Sequence, residues 1–335
     1  MNNSNPANPA GTTGPAGTTG PARLPLRRLA QTSLRVTAVC VGGSPLGSVP
    51  QVFGEDVDYE RGVQTVRHVF DSPINFLDTS NGYSNGESER RIGAVIAERG
   101  GLPDGFVLAT KIDPDPVTGE FSGDRARRSA EESLERLGID RFQLLYLHDP
   151  EKISFEEAVA PGGPVEALVK LRDAGVAQHI GVAGGPIGLM RQLVGTGAFE
   201  VLLTHNRFTL LDRSAEALID EVTAAGIGVV NAAVYGGGIL ARGPGHTDKY
   251  AYQKASPVVL DRAQAIEKVC QSYGVPLRAA SLPVSVRDPR VSSTVVGTAT
   301  PAHVDELVDL ATLEIPAAMW DELSERVPPA GEWRD

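Results

Sequence analysis

Four side chains able to move or steer a proton occur in order along the first half of the chain: Asp78, Tyr83, Lys111 and His148. Asp78 closes the run Phe76-Leu77, and Tyr83 lies five residues beyond it. Lys111 closes Val107-Leu108-Ala109-Thr110, and His148 follows an apolar run ending at Leu147. Singly, each has an ordinary structural role: a turn residue, a packed ring, a solvated strand end, a hydrogen-bonded imidazole. Together they make a coherent chemical set. A phenol has a pKa near ~10, and it acts near neutrality only beside a cation that favours its ionised form. Lys111 can supply that charge. Asp78 can pair with Lys111, so that the ammonium is not buried alone. His148 can orient a substrate oxygen or relay a proton. Such a set suits carbonyl–alcohol interconversion, in which one proton and one hydride move. No side chain donates or accepts hydride, so a nicotinamide cofactor is implied.

The elements that must position these residues alternate along the chain. Eight short, mostly apolar runs read as strands: Val36–Val41, Ile74–Leu77, Phe106–Lys111, Phe142–Leu147, Ala177–Val182, Val201–Thr204, Ile227–Asn231 and Thr294–Val296. They rarely alternate polar with apolar, as expected for parallel strands covered on both faces. Eight helical patterns lie between and after them: 58–70, 88–99, 124–137, 164–174, 187–193, 214–225, 258–273 and 301–311. In the third, Ala126, Ala130, Leu134 and Leu137 form one stripe, and Gly138 is the expected stop. This alternation predicts an α/β fold, a (β/α)8 TIM barrel, with a doubly wound sheet as the competitor. Residues 26–35 read as an N-terminal hairpin that plugs the barrel floor. Residues 277–286 and 317–326 read as extra helices. In a barrel, function sits at the C-terminal ends of the strands, where the four residues fall.

Composition sets the outer limits. The chain has 335 residues, 41% hydrophobic and 22% charged, enough to bury a large core. A net charge of −11 argues against a broad nucleic-acid surface and against anionic membranes. Residues 1–25, with a near-repeat of GTTGPA, predict a disordered tail ahead of one domain over 26–335. With only two cysteines, Cys40 and Cys270, both in apolar contexts, no disulfide scaffold is expected. The six histidines are scattered, so no metal site is expected. No run approaches the ~18 apolar residues of a membrane span, and no secretory signal is visible, so the expected location is cytoplasmic.

The segments NFLDTSNGYSNGESERRIG, LATKI and SLERLGIDRFQLLYLHDPE resemble the aldo-keto reductase family, and the resemblance extends over residues 26–325. It implies a (β/α)8 barrel, NAD or NADP bound without a Rossmann fold, and a catalytic tetrad at Asp78, Tyr83, Lys111 and His148. THNRFTLLD, GIGVVNAAVYGGGIL and STVVGTATPAHVDE are similar to the branch that oxidises aldoses at C1, of the L-fucose, D-threo-aldose and L-galactose type. The implied reaction is oxidation of a small-molecule sugar to a lactone, with Tyr83 as general acid/base. The alternatives are NADPH-dependent reduction of small aldehydes or ketones, and a non-catalytic regulatory subunit that binds cofactor. The resemblance does not specify an oligomeric state.

The implied cofactor contacts are Gly43 and Ser44 after the first strand and Gly238 and Leu240 after the seventh. Ala183 stands where many relatives have Ser followed by Asn, His205-Asn206 where Gln is usual, and Ala232 where an aromatic ring often stacks. Gly297, Thr298 and Thr300 precede a helix whose N-terminus suits a phosphate. His303 occupies the position of an Arg that meets the 2′-phosphate in NADP-selective relatives, with Asp305 and Glu306 beside it. Two carboxylates there would repel a 2′-phosphate, so NAD is expected over NADP. The loop from Tyr235 to Pro257 is expected to act as a lid, with Tyr250 and Tyr252 contacting ligand or packing on the rim. Two motifs are decoys. Gly236–Ala241 matches G-x-G-x-x-A, but Arg242-Gly243-Pro244-Gly245 interrupts the helix a Rossmann turn needs. Tyr250 and Lys254 have the Y-x-x-x-K spacing of short-chain dehydrogenases without their glycine-rich turn.

Overall fold

The computed structural model describes residues 24–48, 50 and 56–334. Most of the expected tail therefore lies outside the described residues. Leu24 does not belong to it, because its side chain is buried in the main core.

The parallel strands are β3 (Val39–Gly42), β4 (Phe76–Asp78), β5 (Val107–Ile112), β6 (Phe142–His148), β7 (Ala177–Gly184), β8 (Val201–His205), β9 (Gly228–Ala232) and β12 (Ser293–Gly297). They close into a barrel, with β12 paired to both β9 and β3. The doubly wound alternative is thereby excluded. The expected first strand divides at Ala38. Its beginning is β2 (Arg35–Thr37), which pairs antiparallel with β1 (Leu26–Arg28), and its end is β3 of the barrel. The hairpin floors the barrel: Leu29, Leu34 and Val36 join the interior cluster of Cys40, Phe76 and Val107.

Local chemistry explains where the helices start and stop. Asp58 caps Tyr59–Asp71 by accepting the Arg61 N–H at 2.8 Å. Ser122 caps Gly123–Leu137 through the Arg125 N–H at 3.2 Å, and Gly138 ends that helix at φ +65°. Ala126, Ala130 and Leu137 are buried on its inner stripe, with Leu134 packed against the core. The segment 277–286 forms two short helices, Leu277–Ser281 and Pro283–Val286, because Pro283 has no N–H to continue the ladder. Ala317–Ser324 is the second extra helix. Both decoys resolve as expected: Ile239–Arg242 is a four-residue helix halted at Gly243, where φ is +91°. Tyr250 and Lys254 lie on the small hairpin of β10 (Lys249–Tyr250) and β11 (Gln253–Lys254). Among the described residues no helix is long and apolar enough to cross a membrane.

The period of two along each strand divides the core. On β6, Leu144 and Tyr146 face the barrel interior, whereas Leu145 and Leu147 face the helices. On β5, Val107 and Ala109 face inward and Leu108 and Ile112 outward. A side chain on Gly181 of β7 would strike the Tyr146 ring at 2.6 Å, so this glycine lets the interior ring fit. Both cysteines are buried; burial pushes Cys40 well up and Cys270 up to about 11, which makes them inert packing groups.

Candidate active site

Continuing that alternation to the C-terminal ends of the strands yields the site. The inward-facing terminal residues are Gly42, Asp78, Lys111, His148, Ala183, His205, Ala232 and Gly297, one from each barrel strand. All eight line one cavity of about 450 Å³, together with Ser44, Tyr83 and Asn206. A one-residue slip in any strand would turn its functional side chain towards the helices.

The Lys111 ammonium is 1% exposed. It donates to Asp78 Oδ1 at 2.5 Å, to the Thr79 carbonyl at 2.7 Å and to Tyr83 Oη at 3.2 Å. Burial opposes its charge, but Asp78 and Tyr83 together hold its pKa above the ordinary value. Burial pushes the Asp78 carboxyl up, and Lys111 pulls it back down. We take the pair as ionised, because each charge is the other's principal compensation. Burial likewise pushes the Tyr83 phenol up, and Lys111 opposes the shift without reversing it. The expected direction of the lysine's influence is present, but desolvation is larger.

The Tyr83 loop is rigidly held. Tyr83 begins a tight turn in which Ser84 and Asn85 adopt positive φ. Behind it, Asn81 donates to the Ser129 carbonyl at 3.1 Å and accepts from Arg125 at 3.0 Å. Arg136 donates to the Asn81 carbonyl at 3.0 Å and to the buried Glu89 at 3.2 Å. Thr110, on the outward face of β5, donates to Glu89 at 2.6 Å. The Tyr83 and His148 rings meet edge to face, with centroids 5.5 Å apart.

The cavity mouth is rich in hydrogen-bonding groups. Asp149, Glu151 and His205 bring ligand atoms within 4.8 Å of one another. Burial is the largest influence on His205 and takes its pKa down to about 4, so the ring is neutral at pH 7. A further cavity of about 620 Å³ opens beside Tyr83 and His148, walled by the loop from Asp113 to Gly119.

A second cavity, of about 330 Å³, shares Ala233, Tyr252, Val295 and Gly297 with the first. Its walls include Gly238, Thr298, His303 and Glu306, so one elongated molecule can extend from the tetrad to the helix Pro301–Thr312. Asn206 Oδ1 and Thr298 Oγ1 are buried without a hydrogen-bond partner. These orphaned acceptors, the small Ala183 and Ala232, and a helix N-terminus fit a nicotinamide dinucleotide: a flat carboxamide-bearing ring at one end, phosphates at the other. Three expected contacts fall elsewhere. Gly43 is buried against Asp78, whose carbonyl accepts its N–H at 2.7 Å. Leu240 is fully buried in the outer core. The Thr300 hydroxyl caps its helix by accepting the His303 N–H at 3.1 Å. Tyr250 is also structural, its hydroxyl donating to the Asn206 carbonyl at 2.9 Å, whereas Tyr252 lines both cavities.

The motifs do not single out Asp113, although its position two residues after Lys111 places it on the same inward face. Arg242 and Arg278, which line the second cavity, are likewise visible only once the chain is folded.

A closed barrel with a buried Asp–Lys–Tyr cluster and a histidine at one rim, beside a dinucleotide-sized cleft, is the arrangement of an oxidoreductase. Residues 38–327 match the model of the aldo/keto reductase family, and the chain belongs to that family. It is an NAD(P)-dependent enzyme of that class. It is 30% identical to a D-threo-aldose 1-dehydrogenase from Pseudomonas sp. over 322 residues, covering 88% of this chain and 95% of the relative. It is 32% identical to an L-galactose dehydrogenase from Arabidopsis thaliana over 294 residues, covering 87% and 89%. The fold matches an aldo-keto reductase from Bacillus halodurans in its holo form, with a TM-score of 0.74 at 19% identity, covering 92% of this chain and 97% of that one.

Proposed function

We propose that the protein oxidises an aldose at C1 to the lactone, using NAD. The observation that carries this reading is the juxtaposition of the Tyr83–Lys111–His148 cluster with a mouth formed by Asp149, Glu151 and His205. Carboxylates and a neutral imidazole accept hydrogen bonds, and a sugar offers a row of hydroxyl donors. The likeness to sugar dehydrogenases at 30% and 32% identity supports the same substrate class.

When bound, the nicotinamide supplies the acceptor for the C1 hydride. The chain supplies the proton chemistry. Tyr83 first gives up its own proton to solvent; as the phenolate, its Oη then takes the proton of the anomeric hydroxyl as that O–H bond breaks and the C1 carbonyl forms, and Tyr83 returns to the phenol. Lys111 Nζ, hydrogen-bonded to Tyr83 Oη, opposes the burial that disfavours phenolate. Asp78 holds Lys111 in place. His148 fixes the sugar oxygen against Tyr83. Asn206 and Thr298 would hold the cofactor through their orphaned oxygens. Glu306 supports NAD: it pairs with Arg278 at 3.0 Å, and its carboxylate suits ribose hydroxyls better than a 2′-phosphate.

A second reading, NADPH-dependent reduction of small aldehydes or ketones, draws on one observation: Arg242, Arg278 and His303 share the second cavity. Crossing NAD⁺ and NADP⁺ with a panel of aldoses, and NADPH with simple aldehydes, separates the two. Aldose-dependent reduction of NAD⁺ supports the first; turnover confined to NADPH and simple carbonyls overturns it in favour of the second.

A further inference from the structure

Asp113 lies at the rim without lining the 450 Å³ cavity of the tetrad, yet its carboxylate is among the most fully engaged in the molecule. It is 5% exposed. Oδ1 is 2.7 Å from His148 Nδ1, and Oδ2 accepts the Gly82 N–H at 2.8 Å and the Ser80 hydroxyl. Its backbone is pinned as well: the N–H donates to Ser129 Oγ at 3.0 Å, and the carbonyl accepts from Arg125 Nε at 3.1 Å. Arg125 is itself paired with Glu132 at 2.8 Å. One rigid carboxylate therefore joins the histidine of β6 to the residue immediately before Tyr83.

We infer that Asp113 is a positioning residue that fixes the tautomer and charge of His148 and locks His148 to the Tyr83 loop. An ionised carboxylate only accepts, so His148 Nδ1 must carry a proton, and the ring is oriented with Nε2 towards the cavity. A negative charge at hydrogen-bond distance also favours the imidazolium, which gives Nε2 a proton to donate to a substrate oxygen. The link through Gly82 means that a shift of Asp113 moves both groups that meet that oxygen. The role rests on His148 and Tyr83 being those groups, whatever the substrate.

The charged and titratable groups facing His148 come from four directions. Lys111 and Asp113 approach from β5 and its end, and Tyr83 from the loop after β4. Asp149, Glu151 and Lys152 follow β6, and His205 ends β8. Burial pulls the His148 pKa down, and Asp113 and then Asp149 more than offset it, leaving it raised. Asp113 is the larger of the two opposing charges.

The test is the titration of His148 by NMR in the full-length protein without substrate or cofactor, assigned with His148→Gln. In Asp113→Asn the midpoint should fall by at least about one unit, with a smaller fall in Asp149→Asn. In the same Asp113→Asn protein, kcat/KM should drop ~10²-fold with any accepted substrate, and the His148 limb of its pH profile should move with the NMR midpoint. Asp113→Glu keeps the charge and displaces it, so it should retain the raised midpoint while losing rate; it serves if Asp113→Asn does not fold. An unchanged midpoint in folded Asp113→Asn, or a fallen midpoint in Asp113→Glu, overturns the assignment. Because the midpoint is read without ligand, failure of every sugar as a substrate would count against the aldose reading and not against this one.

Discussion

Replacing Lys111 by Met isolates the electrostatic design of the site. The side chain is of similar length, but the ammonium is gone. Asp78, 3% exposed, then loses its partner at Oδ1, and its Oδ2 has no hydrogen bond to begin with. Breaking a buried pair in this way costs about 3–5 kcal/mol. The carboxyl can avoid that cost only by taking up a proton. Burial already pushes its pKa up, and Lys111 is the chief opposing influence. Without Lys111 that burial goes largely unopposed, so the variant's Asp78 pKa rises further above its unfolded value. The sign follows: a carboxyl whose folded pKa is raised binds more protons when folded, so stability is lost as pH rises through the interval between the two values. The deficit relative to wild type is then ~4 kcal/mol at pH 8, the cost of the unpaired buried charge, and smaller at pH 5, where the carboxyl is closer to protonation. For a chain of 335 residues, ~4 kcal/mol corresponds to a Tm lower by ~6 °C. Thermal unfolding of both proteins at the two pH values measures this directly. A Lys111→Met, Asp78→Leu double variant should return to within ~2 kcal/mol of wild type, because the pair is removed together. Both variants should be inactive. A Lys111→Met protein as stable as wild type at pH 8, with an unchanged pH dependence, would refute the account of the buried pair.

Two further perturbations probe the frame and the rim. Gly93→Ala in the helix Glu87–Arg99 would drive a methyl into the Arg136 carbonyl of the neighbouring helix, and chemical denaturation should show a loss of about 3 kcal/mol. His205, held down to about 4 mainly by burial, resists protonation in the fold but not in the unfolded chain. Wild type should therefore lose up to ~3 kcal/mol as pH falls from 6.5 towards 4, and His205→Asn should flatten that acid limb while leaving stability above pH 7 unaffected by titration.

The barrel was legible because its signal is local and repeated. Short apolar strands, one amphipathic helix after each, and caps such as Ser122 and Gly138 all point the same way. The gathering of Asp78, Lys111 and His148 around Tyr83 was legible because each of the three closes or follows a recognisable apolar run, and the period of two turns all three towards one cavity. Other features depend on contacts between distant segments. The division of Val36–Val41 at Ala38 reflects a change of pairing partner, from β1 to the barrel, that no local propensity announces. In the loop after β9, Ala251 and Tyr252 adopt φ of +49° and +67°, where glycine or asparagine is the usual sign, so the tight hairpin was hidden. Leu240 and Thr300 were expected at the cofactor, but packing and helix capping claim them. Asp113 was on the correct face for a site residue, yet its value lies in Ser80, Gly82 and His148, which come from two other strand ends.

In the proposed reaction, Tyr83 exchanges the proton of the sugar's C1 hydroxyl while the C1 hydride passes to NAD. The most direct measurement follows nicotinamide absorbance with purified wild type and Tyr83→Phe, using NAD⁺ and a panel of aldoses that includes L-fucose and D-arabinose. Cofactor affinity is measured alongside for both proteins. This role of Tyr83 requires aldose-dependent reduction of NAD⁺ by wild type and a loss of ~10²–10⁴-fold in the variant, with cofactor affinity unchanged. Near wild-type turnover by Tyr83→Phe would contradict it.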